Sequence, residues 1–564
     1  MSGSSEPSEP GVRAESAAQS PSWRTLAVEV AILATITLAV RLVYLDHAPY
    51  VDELNHALAA RSLLEDGTLS INGGGPYTRA WLFTYLVAGF KAVFGPGLVV
   101  SRIPAVLAGL GLVLAVFVWT RFAAGRWAGW TAALLLGFAP ISIYLSQQVR
   151  FYTLHAILFW LAAIAVYVAV ARGPHDRHRR AGLLTGAILA FALAYHLQPV
   201  TLVGVGALGL WVAVDRAPAA MNWIRTVGRL RLFTAIVAVA VLSVLVVVGA
   251  SDYIANRFRL FGYADLWAVG ASNNPLYYHW HFVELYPTLW TIFPFAVLIA
   301  ASRFGRLTLF LTMVFAGALV VHSAAAWKHE RYIYYSLPFF FAIWGLAAAV
   351  ALPWLRGRLD AALDGQLGIQ ASRAAGSVLF AVFLSTSLLF AAAGNSAALY
   401  TYRMLTQSDV EWRMERAYRG EADWQGALST LQPLADSVDV VVASAMLKSL
   451  YYLGRVDIGL SAGELSGAPE FTVARKEAVP VVSRPESLGL VHSCFRSGLI
   501  VADERSYRRP WGVTDEAADY LETHMEALTF PSGTGLVVFR WTHQTPHDEA
   551  RCPAILNSIA SPTT

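Results

Sequence analysis

Long apolar runs separated by short, arginine-bearing polar links fill the first two-thirds of the chain. A helix needs about 20 apolar residues to cross the hydrocarbon of a bilayer, and somewhat fewer are tolerated. About eleven runs meet that length, near 26–45, 98–120, 127–145, 152–171, 181–197, 199–214, 232–250, 286–302, 307–325, 333–353 and 375–394. Trp81–Phe94 is also apolar but shorter. It carries Lys91 and ends at Gly95-Pro96-Gly97, which predicts an interfacial or re-entrant helix rather than a span. Between the first run and this helix, Leu54 to Leu64 has the pattern of a short amphipathic helix lying along the membrane surface. Past residue 395 the hydropathy falls. Leu434–Ser444 has the continuous valine run of a buried strand, and Met446–Leu453 reads as a helix ending at Gly454. Leu499–Asp503 and Gly535–Trp541 read as further strands, with Asp515–Leu528 as a helix, so the tail predicts a small α/β domain. The expected organisation is a disordered cytoplasmic tail over 1–23, a transmembrane module over 24–395 and an extracytoplasmic α/β domain over 396–564.

Charge placement orients the spans. One alternating set of short links holds Arg121 and Arg126; Arg172, Arg177, Arg179 and Arg180; Arg216, Arg225, Arg229 and Arg231; Arg303 and Arg306; and Arg356, Arg358 and Arg373. Short basic links stay in the cytoplasm. That places the N-terminus inside and the residues after 395 outside, in an integral plasma (inner) membrane protein. Composition agrees: of 564 residues, 56% are hydrophobic and only 14% charged, against roughly 25% charged in an ordinary soluble domain. The net charge of +4 is small. Nothing in it points to a nucleic-acid partner, and the absence of GxGxxG or a P-loop in the tail removes the motif grounds for a nucleotide. The first residues are Ser/Glu/Pro-rich and cannot bury enough surface to fold. Cys494 and Cys552 are the only cysteines, too few for a zinc ribbon. In an oxidising compartment they form one disulfide, and otherwise they stay two reduced thiols.

The outward links carry the titratable chemistry. Asp52 and Glu53 stand side by side past the first span. Such carboxylates serve as a general base, bind a metal, or simply favour the start of a helix. Arg79 lies in the same loop. Gln147-Gln148-Val149-Arg150-Phe151-Tyr152 enters the fourth span. Tyr277-Tyr278-His279-Trp280-His281 lies with Glu284 in a later loop, and Trp327-Lys328-His329-Glu330-Arg331-Tyr332 precedes the tenth span. Arg150 is suited to gripping phosphate through its fork, or to snorkelling at the interface. Lys328, His329 and Arg331 suit a phosphate or a lipid headgroup. Within the first span, Arg41 is an intramembrane charge, explained by function or by a salt bridge to Asp46, and Glu29 sits at the inner interface.

Taken in order, these segments resemble the family 39 glycosyltransferases of the GT-C fold, which include protein O-mannosyltransferases and lipid A aminoarabinose transferases. The resemblance rests on Asp52-Glu53 in the first outer loop, on the span opening at Ser101-Arg102-Ile103-Pro104-Ala105, on Arg150-Phe151-Tyr152, and on Glu330-Arg331-Tyr332 followed by Ser336-Leu337-Pro338. It covers roughly residues 25–395. It implies a bacterial-type enzyme that moves a sugar from a polyprenyl-phosphate carrier, with inversion, to an extracytoplasmic protein, lipid or glycan. In that frame Asp52 is the base, and Glu53 orients it or shares an Mg²⁺ or Mn²⁺ with it. Arg150, Tyr152, Lys328, His329 and Arg331 hold the donor phosphate, and Arg79, Tyr278, His279, His281 and Glu330 line the sugar or acceptor pocket. Two other functions fit the same composition. One is a transporter or flippase of lipid-linked sugars; the other is a non-catalytic membrane scaffold.

Overall fold

The computed structural model describes residues 22–226, 274–406 and 422–543, apart from 72–73, 174–175, 326–327, 365–368, 466–469, 475 and 531–533, together with Cys552. The expected span 232–250 lies outside the described residues. Helices in chain order are α1 Trp23–Leu42, α2 Val51–Glu65, α3 Trp81–Phe94, α4 Leu98–Ala124, α5 Arg126–Gly137, α6 Pro140–Ser146, α7 Tyr152–Tyr167, α8 Arg177–Leu197, α9 Thr201–Thr226, α10 Tyr277–Leu285, α11 Phe293–Ala324, α12 Leu337–Asp364 and α13 Ile369–Ala393. Among the described residues seven helices are long and apolar enough to cross a membrane, or eight if the pair α5 and α6, bent by 63°, is one span. That count, made without residues 227–273 and with α11 taken as one span, does not confirm the expected eleven. The runs 286–302 and 307–325 fall largely within the single 32-residue α11, which has non-helical torsions at Phe304. Phe293 and Phe315 nonetheless lie 5.7 Å apart between ring centroids. A straight helix would separate them by about 33 Å, so α11 folds back on itself at Phe304. The last expected run lies in α13, whose apolar part is the shorter stretch Ala374–Thr386. The 14 residues of α3 span about 21 Å, short of the roughly 30 Å hydrocarbon thickness.

The two ends of the bundle differ in chemistry. At one end Glu29, buried against protein, pairs with Arg121 at 3.1 Å and Arg126 at 3.3 Å. Arg306 forks onto Asp215 beside the carbonyl of Ala171. The other end gathers the polar loops. Helix α4 connects the two, with Arg102 and Arg121 about 28 Å apart along its axis.

The C-terminal region is a seven-stranded sheet. Its strands are β1 Val440–Ala443, β2 Ile458–Leu460, β3 Val473–Ala474, β4 Val479–Val482, β5 Ser497–Asp503, β6 Glu526–Leu528 and β7 Leu536–Thr542. Their order is β3-β4-β2-β1-β5-β7-β6. β4, β2, β1 and β5 run parallel; β3, β7 and β6 are antiparallel to their neighbours. Side chains alternate across a strand, so Val440 and Val442 enter one core with Leu488 and Leu521, and Val441 enters another with Trp424 and Leu431. Both faces are buried, which is why these strands read as unbroken apolar runs. The expected strand over 434–444 is shorter, because Leu434 to Asp436 end the helix Trp424–Asp436. Strands β2, β3, β4 and β6 are not among the expected ones: they are short and lack a long apolar run, and the helix expected over Asp515–Leu528 ends at His524, with β6 taking Glu526–Leu528. Cys494 and Cys552 form a disulfide with Cα atoms 5.5 Å apart.

This region docks on α2. Leu54, Leu58 and Ala59 of α2, with Ile71 and Tyr77, share one core with Met446, Leu447, Leu450, Val456 and Val481. Arg61 donates to the Leu450 carbonyl at 3.3 Å. The apolar face expected to lie on the membrane is instead roofed by protein, with Leu54 fully buried and Leu58 2% exposed.

Candidate active site

The first turn of α2 sets the two carboxylates in different directions. Successive residues on a helix are turned by about 100°, so neighbours do not face each other. Glu53 turns inward and is wholly buried. Its oxygens accept from Arg102 Nε and Nη2, each at 3.0 Å, from the Val149 amide at 2.8 Å and from the Tyr50 amide at 3.0 Å. The Tyr50 bond ties the residue before the helix back to its first turn, as the return bond of a capping box does. Arg102 also donates to the carbonyls of Leu45 and His47, which anchors the link between α1 and α2.

Asp52 turns outward and keeps 34% of its side chain exposed. Its Oδ2 lies 3.0 Å from Arg331 Nη1 and 3.6 Å from Arg150 Nη2. Arg150 is buried and also donates to the Asp52 carbonyl at 3.0 Å and to the Tyr152 hydroxyl at 3.1 Å. The Tyr152 ring lies beneath both guanidiniums, 5.4 Å from that of Arg150 and 6.0 Å from that of Arg331. Arg79 stacks on Phe151 at 5.7 Å. Burial alone would push the Asp52 carboxyl up, but Arg150, Arg331 and Arg79 together hold it well below the usual carboxylate range. Burial would also lower the Arg150 pKa, and Tyr152 and Asp52 more than offset that, so Arg150 stays charged. Its Nε is buried without a hydrogen-bond partner.

The remaining expected residues form a second layer. His329 Nδ1 sits 2.7 Å from Glu330 and His281 Nδ1 3.8 Å from it. The Tyr278 hydroxyl accepts from the His329 amide and donates to its carbonyl, which fixes the segment that delivers Arg331. Lys328 is buried and donates to the Ala325 carbonyl at 2.5 Å, and burial lowers its pKa. His279 accepts from the Trp290 indole at 3.0 Å, which commits its Nδ1 to α10 and its neighbour rather than to Asp52. Of the twelve expected side chains, Asp52, Arg150, Tyr152 and Arg331 meet directly, with Arg79 beside them.

Two participants were given no role from sequence. Arg102 stands in the sequence only as part of a span opening; its position early in an apolar run is the available signal. His56, one turn beyond Asp52, is fully buried between the rings of Tyr77, Phe83 and Phe151. Its Nδ1 pairs with Thr84 Oγ1 at 2.9 Å. Burial, then Arg150 and Arg79, push its pKa well down, so it is neutral. The expected bridge from Arg41 to Asp46 does not form; Arg41 is held by hydroxyls and carbonyls.

The carboxylate pair does not fit a divalent cation. All the acceptor capacity of Glu53 is turned to Arg102 and backbone amides, and Asp52 faces guanidiniums. No group of three or more metal-ligating side chains occurs among the described residues.

The architecture is that of the GT-C fold, in an integral membrane protein. The chain is similar to ArnT from Cupriavidus metallidurans in the apo state, with a TM-score of 0.59 and 18% identity over 92% of this chain and 98% of that one. It is similar to the same protein bound to undecaprenyl phosphate, with a TM-score of 0.56 and 18% identity over 92% and 97%. An oligosaccharyltransferase from Archaeoglobus fulgidus gives a TM-score of 0.56 and 16% identity, over 92% of this chain and 75% of that one. No protein-family model and no curated protein sequence matches the chain.

Proposed function

We propose that the chain is a glycosyltransferase that moves a sugar from a polyprenyl-phosphate carrier to a hydroxyl or similar acceptor at the extracytoplasmic face, with inversion. One observation carries the reading. A partly exposed carboxylate, Asp52, is held between two guanidiniums, Arg150 and Arg331, that come from 98 and 279 residues away. A base and phosphate ligands in one place are what this transfer needs.

In this reading the carrier phosphate takes up the donor groups of Arg150 and Arg331, including the buried Arg150 Nε. Asp52, relieved of part of its cationic contact, becomes a stronger base. The acceptor oxygen attacks the anomeric carbon from the face opposite the phosphate. The bond from that carbon to the phosphate oxygen breaks, polyprenyl phosphate leaves, and the acceptor proton passes to Asp52. A single displacement inverts the carbon. The leaving group is already a stable anion, so no strong general acid is required. Glu53 orients Asp52 by fixing the first turn of α2. Glu330, His281 and Tyr278 stand behind the Arg331 segment, where they shape the sugar side of the site. ArnT bound to undecaprenyl phosphate supports the choice of carrier, and the arginine-rich links at the opposite end of the bundle support an outward site.

The test is direct. Purified protein incubated with a polyprenyl-phosphate sugar and candidate acceptors should release polyprenyl phosphate and form one glycosidic product of inverted configuration. Movement of intact donor across a vesicle bilayer, with no release, would assign the chain to the flippases instead.

A further inference from the structure

Arg41 lies in α1, in the membrane bundle, and is completely buried. No ion pair to it occurs among the described residues, yet its guanidinium is well satisfied. Nε donates to Ser146 Oγ at 3.1 Å, Nη2 to Ser142 Oγ at 2.9 Å, and Nη1 to the carbonyls of Thr37 at 3.0 Å and Gly137 at 3.3 Å. A charge in this environment is costly and needs several good acceptors.

The acceptors share a location. Gly137 ends α5, and Ser142 and Ser146 are on α6, so one guanidinium bridges the 63° bend between the two helices. At that bend the last carbonyls of α5 lose their helical partners, and Arg41 supplies a donor to one of them. Helix α6 runs straight into Gln147–Arg150. Gln147 Nε2 returns to α1 through the carbonyls of Arg41 at 3.1 Å and Val43 at 2.7 Å. Ser142 Oγ also meets the Tyr334 hydroxyl at 3.2 Å, and Tyr334 is three residues past Arg331. The hub thus touches both segments that deliver a guanidinium to Asp52. Room for it is made by Gly109 of α4, where a Cβ would collide with the Ser146 hydroxyl and lie 3.3 Å from Arg41 Nε.

We infer that Arg41 is a positioning residue for donor binding: it sets the separation of Arg150 and Arg331 from within the membrane by bridging the bend beneath one and, through Ser142 and Tyr334, the segment carrying the other. It touches neither substrate nor Asp52. Lysine cannot reproduce this, because an ammonium lacks the planar fork that reaches both serines and both carbonyls at once.

This rests on the proposed donor-phosphate reading, so the experiment has one arm that needs no donor. In the full chain, cysteines replace Arg150 and Arg331, whose guanidiniums lie 3.6 and 3.0 Å from the same Asp52 oxygen, and a short bifunctional thiol reagent measures their proximity. Adding Arg41→Met should cut the cross-linking rate several-fold. Separately, in the otherwise native chain, Arg41→Met should weaken binding of undecaprenyl phosphate by about tenfold or more, and Arg41→Lys should do so by less. Glu29→Gln, which removes a buried pair at the opposite end of the bundle, should leave both readouts near the native values. If Arg41→Met fails to fold, Ser142→Ala and Gly109→Ala perturb the same hub without removing the charge, and each should slow cross-linking. Unchanged cross-linking in the folded hub variants overturns the inference, whatever the binding data show. If the introduced cysteine pair cross-links as expected but the native chain binds no undecaprenyl phosphate, the donor reading fails, and the cross-linking arm still decides the role of Arg41.

Discussion

Arg331 Nη1 donates to Asp52 Oδ2 at 3.0 Å across 279 residues of sequence. That bond places the tenth expected span against the first outer loop. It also means that the candidate base is tied up by the very groups that would hold the donor.

Replacing Asp52 by Asn keeps the shape of the site and removes the base. Turnover should fall by about 10²–10⁴-fold, the usual worth of a positioned base. Undecaprenyl phosphate should bind at least as tightly as to the native chain, because Asn no longer competes for Arg150 and Arg331. Native turnover in the variant, measured as polyprenyl phosphate released, would remove Asp52 from the role.

The acid limb of the rate profile follows from the same contacts. Arg150, Arg331 and Arg79 hold the Asp52 pKa well below the usual range against the effect of burial. The ionised form is therefore favoured in the folded state. Its stabilisation is fully present above the unfolded-chain value near 4 and is lost as pH falls through the lower folded value. In the ligand-free chain Asp52 is therefore ionised through the ordinary carboxylate range. Arg331→Gln should move the acid limb of kcat/KM upward, towards the ordinary carboxylate range. A limb that stays in place would show that Arg331 does not control Asp52.

Glu53 answers to a different measurement. Its pair with Arg102 is fully buried on both sides. Breaking such a pair from one side leaves an uncompensated buried charge and costs about 3–5 kcal/mol. Glu53→Gln should lower the thermal unfolding midpoint of the detergent-solubilised protein, and the double change Glu53→Gln, Arg102→Met should recover part of the loss. A single variant as stable as the native chain would argue that the pair is not what fixes α2.

Topology can be read with a membrane-impermeant thiol reagent, since the two native cysteines are bonded to each other. A cysteine at His178 should be protected in intact cells and one at Glu464 should be labelled. The reverse pattern would turn the site to the cytoplasm.

Much of this was legible in the chain. The apolar runs gave the spans away through their length, and Arg303 and Arg306 marked the place where α11 folds back. Asp52, Arg150 and Arg331 stood out because charged residues beside apolar runs are rare. Of the two roles expected of Glu53, orienting Asp52 or sharing a metal with it, local geometry favours the first, because adjacent helical residues point about 100° apart. The partner of Glu53 was out of reach, since Arg102 meets it only through tertiary packing. The burial of Leu54 and Leu58 was equally hidden. An apolar stripe looks the same whether lipid or protein will cover it.

The cover comes late. Arg61 and the Leu450 carbonyl are 389 residues apart, and at roughly 5–20 residues per second a ribosome needs about 20–80 s to synthesise the intervening chain. Throughout that interval the helix bearing Asp52 has its apolar stripe bare. The end of the bundle that bears the candidate site is thus completed by the last part to be made, so a nascent chain stalled before residue 450 would have its spans inserted and this stripe of α2 still uncovered.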